Sequence, residues 1–335
     1  MLLLAWATYV MPSAQISTSQ SFFTQWSSES DSILQWTIET DLKELLRNRD
    51  KEVYQAAKLT YKASEGQQMN WDINIRSRGN TRKTVCAYAP LKMKFKKSDL
   101  KSKGFHPFNK LKIVNQCKTG QSCASYLLKE FIIYRMYNLI SPYSYRAHLV
   151  KIHYKDVNRE RSGWSIYAIL LEPDKDLERR LAAVEIKREE SSPHHLANQA
   201  FRRMAIFQYM IGNTDWSVGN LHNLKIFKVP EERKVVPIPY DFDYAGLVNT
   251  YYAVPHESLP IEKVTQRLYR GPNCNNGESR AYIRFFLEKE EQIMDYCNGL
   301  VFLAPKDKKE LINYLKDFFR FIERQAKNDL ITVFN

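Results

Sequence analysis

The stretch that decides the reading is Tyr209-Met210-Ile211-Gly212-Asn213-Thr214-Asp215-Trp216-Ser217-Val218-Gly219-Asn220-Leu221-His222-Asn223, followed by Pro239-Tyr240-Asp241-Phe242-Asp243-Tyr244-Ala245-Gly246. Asp215 stands past a Gly-Asn turn. Asn223 opens the apolar run Leu224–Phe227, and Asp241 follows the run Val235–Ile238. An Asp, an Asn heading a strand and an Asp closing another is the layout of a phosphoryl-transfer site. One Asp handles an acceptor hydroxyl, while the Asn and the later Asp hold Mg²⁺ against phosphates. Mg²⁺ needs only a few hard oxygens because it keeps its waters. The competing reading is a pair of polar hairpin turns, which Asp and Asn also populate.

Working backwards, a long helix is expected over His194–Met210, leading straight into the turn at Gly212. Upstream, alternation predicts strands at Ile33–Glu39, at Trp71, Ile73 and Ile75, at Leu91, Met93 and Phe95, and at Leu111–Val114. Arg146–His153 and Gly163–Leu171 read as a hairpin. Asp41–Asn48 reads as a short capped helix and Ser122–Leu139 as a long one ended by Ser141-Pro142. Downstream, Leu311, Leu315, Phe318, Phe319 and Ile322 give Lys306–Ala326 one apolar face. The class is therefore α+β. A strand-rich lobe over 33–171 precedes a helical lobe over 172–335, with the site just past their junction.

At 335 residues and 44% hydrophobic content the chain is long and apolar enough to bury a sizeable core, which excludes disorder. The net charge of +13 favours anionic partners. Its densest stretch is Arg76–Lys118, yet no RNP, zinc-finger or helix-turn-helix pattern accompanies it, so nucleic acid is not the expected partner. The run Leu2–Val10, followed by Pro12-Ser13-Ala14, reads as an export signal over 1–14, although no positive charge precedes it. On that reading the protein is periplasmic, cell-surface or secreted; without it, cytoplasmic. Residues 15–32, rich in Ser, Gln and Thr, are expected to form a poorly ordered lead-in. No stretch reaches the roughly 20 apolar residues of a membrane span. The five cysteines contain no CxxC pair. By region, Cys86 pairs with Cys117 or Cys123, and Cys274 with Cys297.

A phosphotransferase also needs cations for the phosphates. Lys92, or else Lys94, lies on a predicted strand, and Glu130 lies on the helix that follows and is placed to orient it. There is no GxGxxG. The nearest substitute is the basic turn around Arg78-Gly79-Asn80, where backbone N–H groups and guanidinium groups can meet phosphate. Asn220 competes with Asn223 as the loop Asn, and Asn223 is preferred because it opens a strand. Asp241 and Asp243, two apart in an extended segment, share a face and can reach one cation. Asp215 and Asp241 could instead form a glycosidase acid pair, but nothing else speaks for a sugar.

Taken together, "RSRGNTRK" (76–83), "APLKMKFKK" (89–97), "YLLKEFIIYRMYNLIS" (126–141), "YMIGNTDWSVGNLHN" (209–223) and "VPIPYDFDYAGLV" (236–248) resemble the spore-coat CotH family of atypical protein kinases. The resemblance covers about residues 70–250 and rests on motif order more than on any one motif. It implies a bilobal protein-kinase-like fold with a strand-rich N-lobe and a helical C-lobe. It also implies ATP with Mg²⁺ or Mn²⁺, and phosphorylation of Ser in exported proteins. By motif, Lys92 takes the phosphate, Glu130 orients it, Asp215 is the loop Asp, Asn223 the loop Asn and Asp241 the metal Asp. The segment from Asp215 to Asn223 is longer than a standard catalytic loop, and nothing after Gly246 matches. A pseudokinase-like surface binding module is the alternative, and a polyanion binder using Arg76–Lys118 the third reading.

Overall fold

The structure, a computed structural model, describes residues 20–26, 32–63, 66–187, 195–328 and 330–334. The expected export signal lies outside these residues. In chain order the first part comprises β1 (Leu34–Thr40), α1 (Leu42–Arg47), β2 (Gln55–Lys62), β3 (Gln68–Ser77), α2 (Thr81–Val85), β4 (Leu91–Phe95) and α3 (Lys97–Ser102). It continues with β5 (Lys110–Asn115), α4 (Gln121–Ile140), β6 (Ala147–Asp156) and β7 (Arg159–Leu171). After these come α5 (Asp174–Arg180), β8 (Val184–Ile186), α6 (Asn198–Ile211), β9 (Leu224–Lys228) and β10 (Val236–Pro239). Three helices end the chain: α7 (Asn276–Glu288), α8 (Glu290–Gly299) and α9 (Pro305–Ala326).

The architecture corrects the expectation of a bilobal kinase-like fold. Strands β1 to β7 close into a seven-stranded mixed barrel in the order β1-β2-β3-β4-β5-β7-β6. Closure comes from parallel pairing of β1 with β6, from Leu34 opposite Val150 to Thr40 opposite Asp156. Every other neighbouring pair in the barrel is antiparallel. A closed sheet has no free edge, so no row of unpaired backbone groups is left along one side. Local alternation reports which face of a strand is buried. It carries nothing about which distant strand completes the ring.

The barrel interior is packed with Trp36, Ile38, Leu59, Trp71, Ile73, Met93 and Ile152. Phe22 plugs it from the segment expected to be poorly ordered. Its ring meets Trp26, Trp36, Tyr61, Trp71, Phe95 and Phe105 at centroid distances of 4.3–6.1 Å. At the end of β5, the start of β6 and the end of β7 the alternate residues are buried too. Val114, Leu149, Ile169 and Leu171 face a second core built on α4, α6 and α9. That is why α4 is apolar nearly all round: it lies between the barrel wall and the helices.

The sheet β10-β9-β8 carries the decisive loops. The expected helix at His194–Met210 runs over Asn198–Ile211, and His194 lies outside the described residues. Gly212 caps it in the left-handed region, φ 65°. A Cβ there would collide with the Tyr314 hydroxyl, and one at Gly246 with the Val264 carbonyl. Both positions therefore have to be glycine, and the two backbones lie against each other. Cys86 and Cys117 form a disulfide that ties the end of α2 to the segment after β5. The regional pairing of Cys274 with Cys297 does not occur; both are buried free thiols, and Cys123 is also free. Among the described residues no helix is long and apolar enough to cross a membrane.

If Phe22 is the barrel's plug, Phe22→Ala should lower unfolding free energy by about 3–5 kcal/mol, the usual cost of emptying a buried aromatic site. Denaturant titration measures it. A loss below about 0.5 kcal/mol, the size of an ordinary surface effect, would show that the segment is a dispensable appendage.

Candidate functional site

Two sets of backbone bonds bring the motifs together. Gly246 N donates to Gly212 O at 3.0 Å and Leu247 N to Ile211 O at 3.0 Å. The β9–β10 ladder ends with Leu224 opposite Pro239, and Tyr240 N then donates to Asn223 O at 3.0 Å. Asn223 is thus seated beside Asp241. Both are non-glycine residues with positive φ, 53° and 61°, as is Leu221 at 54°. Such conformations cost energy and gather at sites where side chains must be aimed.

A cavity of about 340 Å³ opens here. Asp215 reaches it from a locked turn. Its N–H donates to Asn213 Oδ1 at 3.0 Å, and buried Asn213 is held by Gln208 at 3.0 Å. Asn223 Nδ2 donates to both Asp215 O (2.8 Å) and Asp215 Oδ2 (2.9 Å). Two oxygen acceptors fix the amide's orientation and leave its own oxygen for a ligand. Asn220 instead accepts from His222 N at 3.2 Å on the exposed turn. Between the two candidates, it is Asn223 that joins Asp215. His222 Nε2 lies 2.8 Å from Asp215 Oδ1.

The cavity is also lined by a residue that spacing did not single out. Arg82, on α2, is buried. It pairs with Glu130 Oε2 (2.5 Å) through Nη2 and Asp243 Oδ2 (2.8 Å) through Nε, and lies 3.6 Å from Asp241 Oδ1. Burial opposes its charge, but Asp243 and Glu130 outweigh burial and hold its pKa well above the ordinary arginine value. Burial pushes the Glu130 carboxyl up to about 8 despite Arg82. Enclosure, and then the Asp243 charge, push Asp241 up to about 6. For Asp243, burial is outweighed first by Arg82, and its pKa falls.

These contacts place three of the assigned residues differently from expectation. Glu130 orients Arg82, not Lys92. Lys92 does not line the cavity; it stands on β4 between Arg76 and Lys112 in the cross-strand register. Burial and its cationic neighbours Lys110, Arg76 and Arg78 lower its pKa. Lys94 is exposed, over the Tyr54 ring. The lysine that does line the cavity is Lys112, steadied by Asp174 at 3.2 Å. Asp243 lines the cavity but turns Oδ2 to Arg82 and Tyr252, each at 2.8 Å, so at most its other oxygen faces a metal. Asp241 remains available: its side chain is 46% exposed, and its N–H donates to Tyr134 Oη at 2.9 Å. Arg78 lines the cavity as expected. The chain signal that could have found Arg82 is its place three residues past Gly79, where the turn becomes a helix.

Among the described residues no group of three or more His, Cys, Asp or Glu is set to hold a metal ion. The smaller donor set of Asp241 carboxylate and Asn223 amide oxygen suits a hard divalent ion whose remaining ligands are phosphates and water. No protein-family model matches the chain, and no curated protein matches it.

Removing the guanidinium would leave its carboxylates facing one another without a counter-charge. Arg82→Met should cost about 3–5 kcal/mol, the range for breaking a buried ion pair by deleting one partner. Denaturant titration tests this, and a neutral result would mean that Glu130 and Asp243 do not rely on Arg82.

Proposed function

We propose that the chain is a phosphotransferase that moves the γ-phosphoryl group of ATP to a hydroxyl acceptor, a serine of a protein. One observation carries the reading. The Asp215 carboxylate is bonded to Asn223, beside Asp241, in a cavity that Arg78, Arg82 and Lys112 also line. Carboxylate and amide oxygens together with fixed cations in one cavity match what phosphates and a divalent ion require. Val114, Leu171 and Leu221 give the cavity an apolar flank for a nucleotide base.

In the reaction the acceptor oxygen forms a bond to the γ-phosphorus as the bond from that phosphorus to the β–γ bridging oxygen breaks. ADP leaves with the bond's electron pair, and the hydroxyl proton passes to Asp215. Asn223 and His222 hold the Asp215 carboxylate in place, which removes reorganisation from the step. Arg78 and Lys112 meet phosphate oxygens. Asp241 and the Asn223 amide oxygen would hold Mg²⁺ or Mn²⁺, which neutralises phosphate charge when bound. The motif order that resembles CotH-like kinases supports the same chemistry, and the Cys86–Cys117 disulfide suits an exported protein.

A binding module without turnover is the second reading. It is favoured by Glu130 pairing with Arg82, so that among the described residues no Lys–Glu pair faces the cavity.

The test is a thermal shift with ATP plus Mg²⁺ or Mn²⁺. At ligand concentrations about 100 times Kd, binding should add about 2.7 kcal/mol of apparent stability. EDTA and Asp241→Ala should each abolish the shift. A proton on Asp241 competes with the cation, and its pKa lies at about 6. Affinity should therefore be flat above that pH and fall about tenfold per unit below it. An equal shift with and without EDTA would contradict the metal role.

A further inference from the structure

Asp215 belongs to two cavities. Besides the one described, a second of about 370 Å³ lies against the same turn and shares Asp215, Asn220 and His222 with it. We propose that this second cavity is the acceptor subsite, and that it takes a hydroxyl-bearing polypeptide segment with an acidic side chain close to the hydroxyl. The acceptor role rests on the phosphotransferase reading; the preference for acid rests on the cavity itself.

The shared wall supplies the geometry. A hydroxyl entering from the second cavity meets Asp215 without crossing the space assigned to the nucleotide. The charge of the lining supplies the specificity. Asp215 is its only carboxylate, and each Asp215 oxygen already has one partner, His222 or Asn223, so what acceptor capacity remains serves the hydroxyl. A lysine- or arginine-flanked acceptor would compete with that hydroxyl for the one carboxylate.

Arg270 supplies the positive group. Its Nη1 donates to the carbonyls of Thr214 and Trp216, the residues on either side of Asp215. Its guanidinium also sits 5.7 Å from the Trp216 ring centroid. Among the described residues no carboxylate lies within ion-pair distance of Arg270; the Asp215 charge acts on it from farther off, and Nη1 alone is bonded, so the Nε and Nη2 donors are left for an anion. Ser217, Ser258 and His256 line the same space, with His256 Nδ1 held 2.8 Å from Ser258 Oγ. The chain's net charge of +13 favours acidic partners in general.

The experiment measures fluorescence anisotropy of labelled serine peptides flanked by Asp, by Lys or by neutral residues, on wild type, Arg270→Gln and Arg270→Lys. Melting temperatures are recorded for each variant. The Asp-flanked peptide should bind tightest. Arg270→Gln should weaken it by about tenfold or more, the loss of a charged hydrogen bond, and Arg270→Lys should preserve the order of preference. If Arg270→Gln fails to fold, the wild-type ranking and Arg270→Lys still decide. Equal binding of Asp- and Lys-flanked peptides, or an Arg270→Gln variant that folds and binds as wild type, would overturn the subsite. Parallel assays with ATP and Mn²⁺ separate the two claims. Acidic-peptide binding without phosphate transfer keeps the cavity's preference and removes its acceptor role. Transfer that is fastest on the Lys-flanked peptide keeps the reaction and overturns this subsite.

Discussion

The Arg82 guanidinium holds the site together. It leaves the barrel on α2, reaches Glu130 on α4 and Asp243 beyond β10, and lies within 3.6 Å of Asp241. Taking one cation and its carboxylates out of water is costly, and the cluster persists only because hydrogen bonds accompany the charges. Its consequence is a division of labour among acids. Asp243 and Glu130 each give an oxygen to the arginine. Asp241, held beside them with a raised pKa, keeps its carboxylate open to the cavity. The Cys86–Cys117 disulfide anchors the end of α2 and so limits how far Arg82 can move.

The barrel places the rest. Because β5 and β7 end buried on both faces, their outer residues there can form both core and cavity wall. Val114 and Leu171 do both, with Lys112 opposite Leu171 in the same wall. The β9–β10 ladder and the glycine contact at Gly212 and Gly246 then set the loops against that wall. The site is therefore fixed by backbone hydrogen bonds and close packing, and side-chain contacts refine it.

Much of the local structure was legible. The strands at Trp71–Ile75 and Leu91–Phe95, the cap at Asp41 and the long helix α4 follow from periodicity and capping. The proximity of Asp215, Asn223 and Asp241 was legible from motif spacing. Barrel closure was not, because β1 and β6 pair across more than a hundred residues and neither strand's alternation names its partner. Phe22 was hidden in a Ser- and Gln-rich stretch whose composition speaks for solvent. Arg82 was hidden because an arginine in a basic turn looks solvated until three carboxylates converge on it from α4 and the loop beyond β10. Lys92 was preferred to Lys94 and Lys112 went unmarked, because motif order cannot tell which of two neighbouring strands reaches the cavity.

The most direct measurement of the central claim is phosphate transfer from ATP to a serine peptide by Asp215→Asn, alongside nucleotide affinity. If Asp215 receives the acceptor's proton, ATP affinity stays close to wild type while transfer falls about 10²-fold or more, the range of positioned acid–base groups. Asn serves a turn about as well as Asp. Unchanged transfer in the variant would therefore make Asp215 a turn residue and contradict the account.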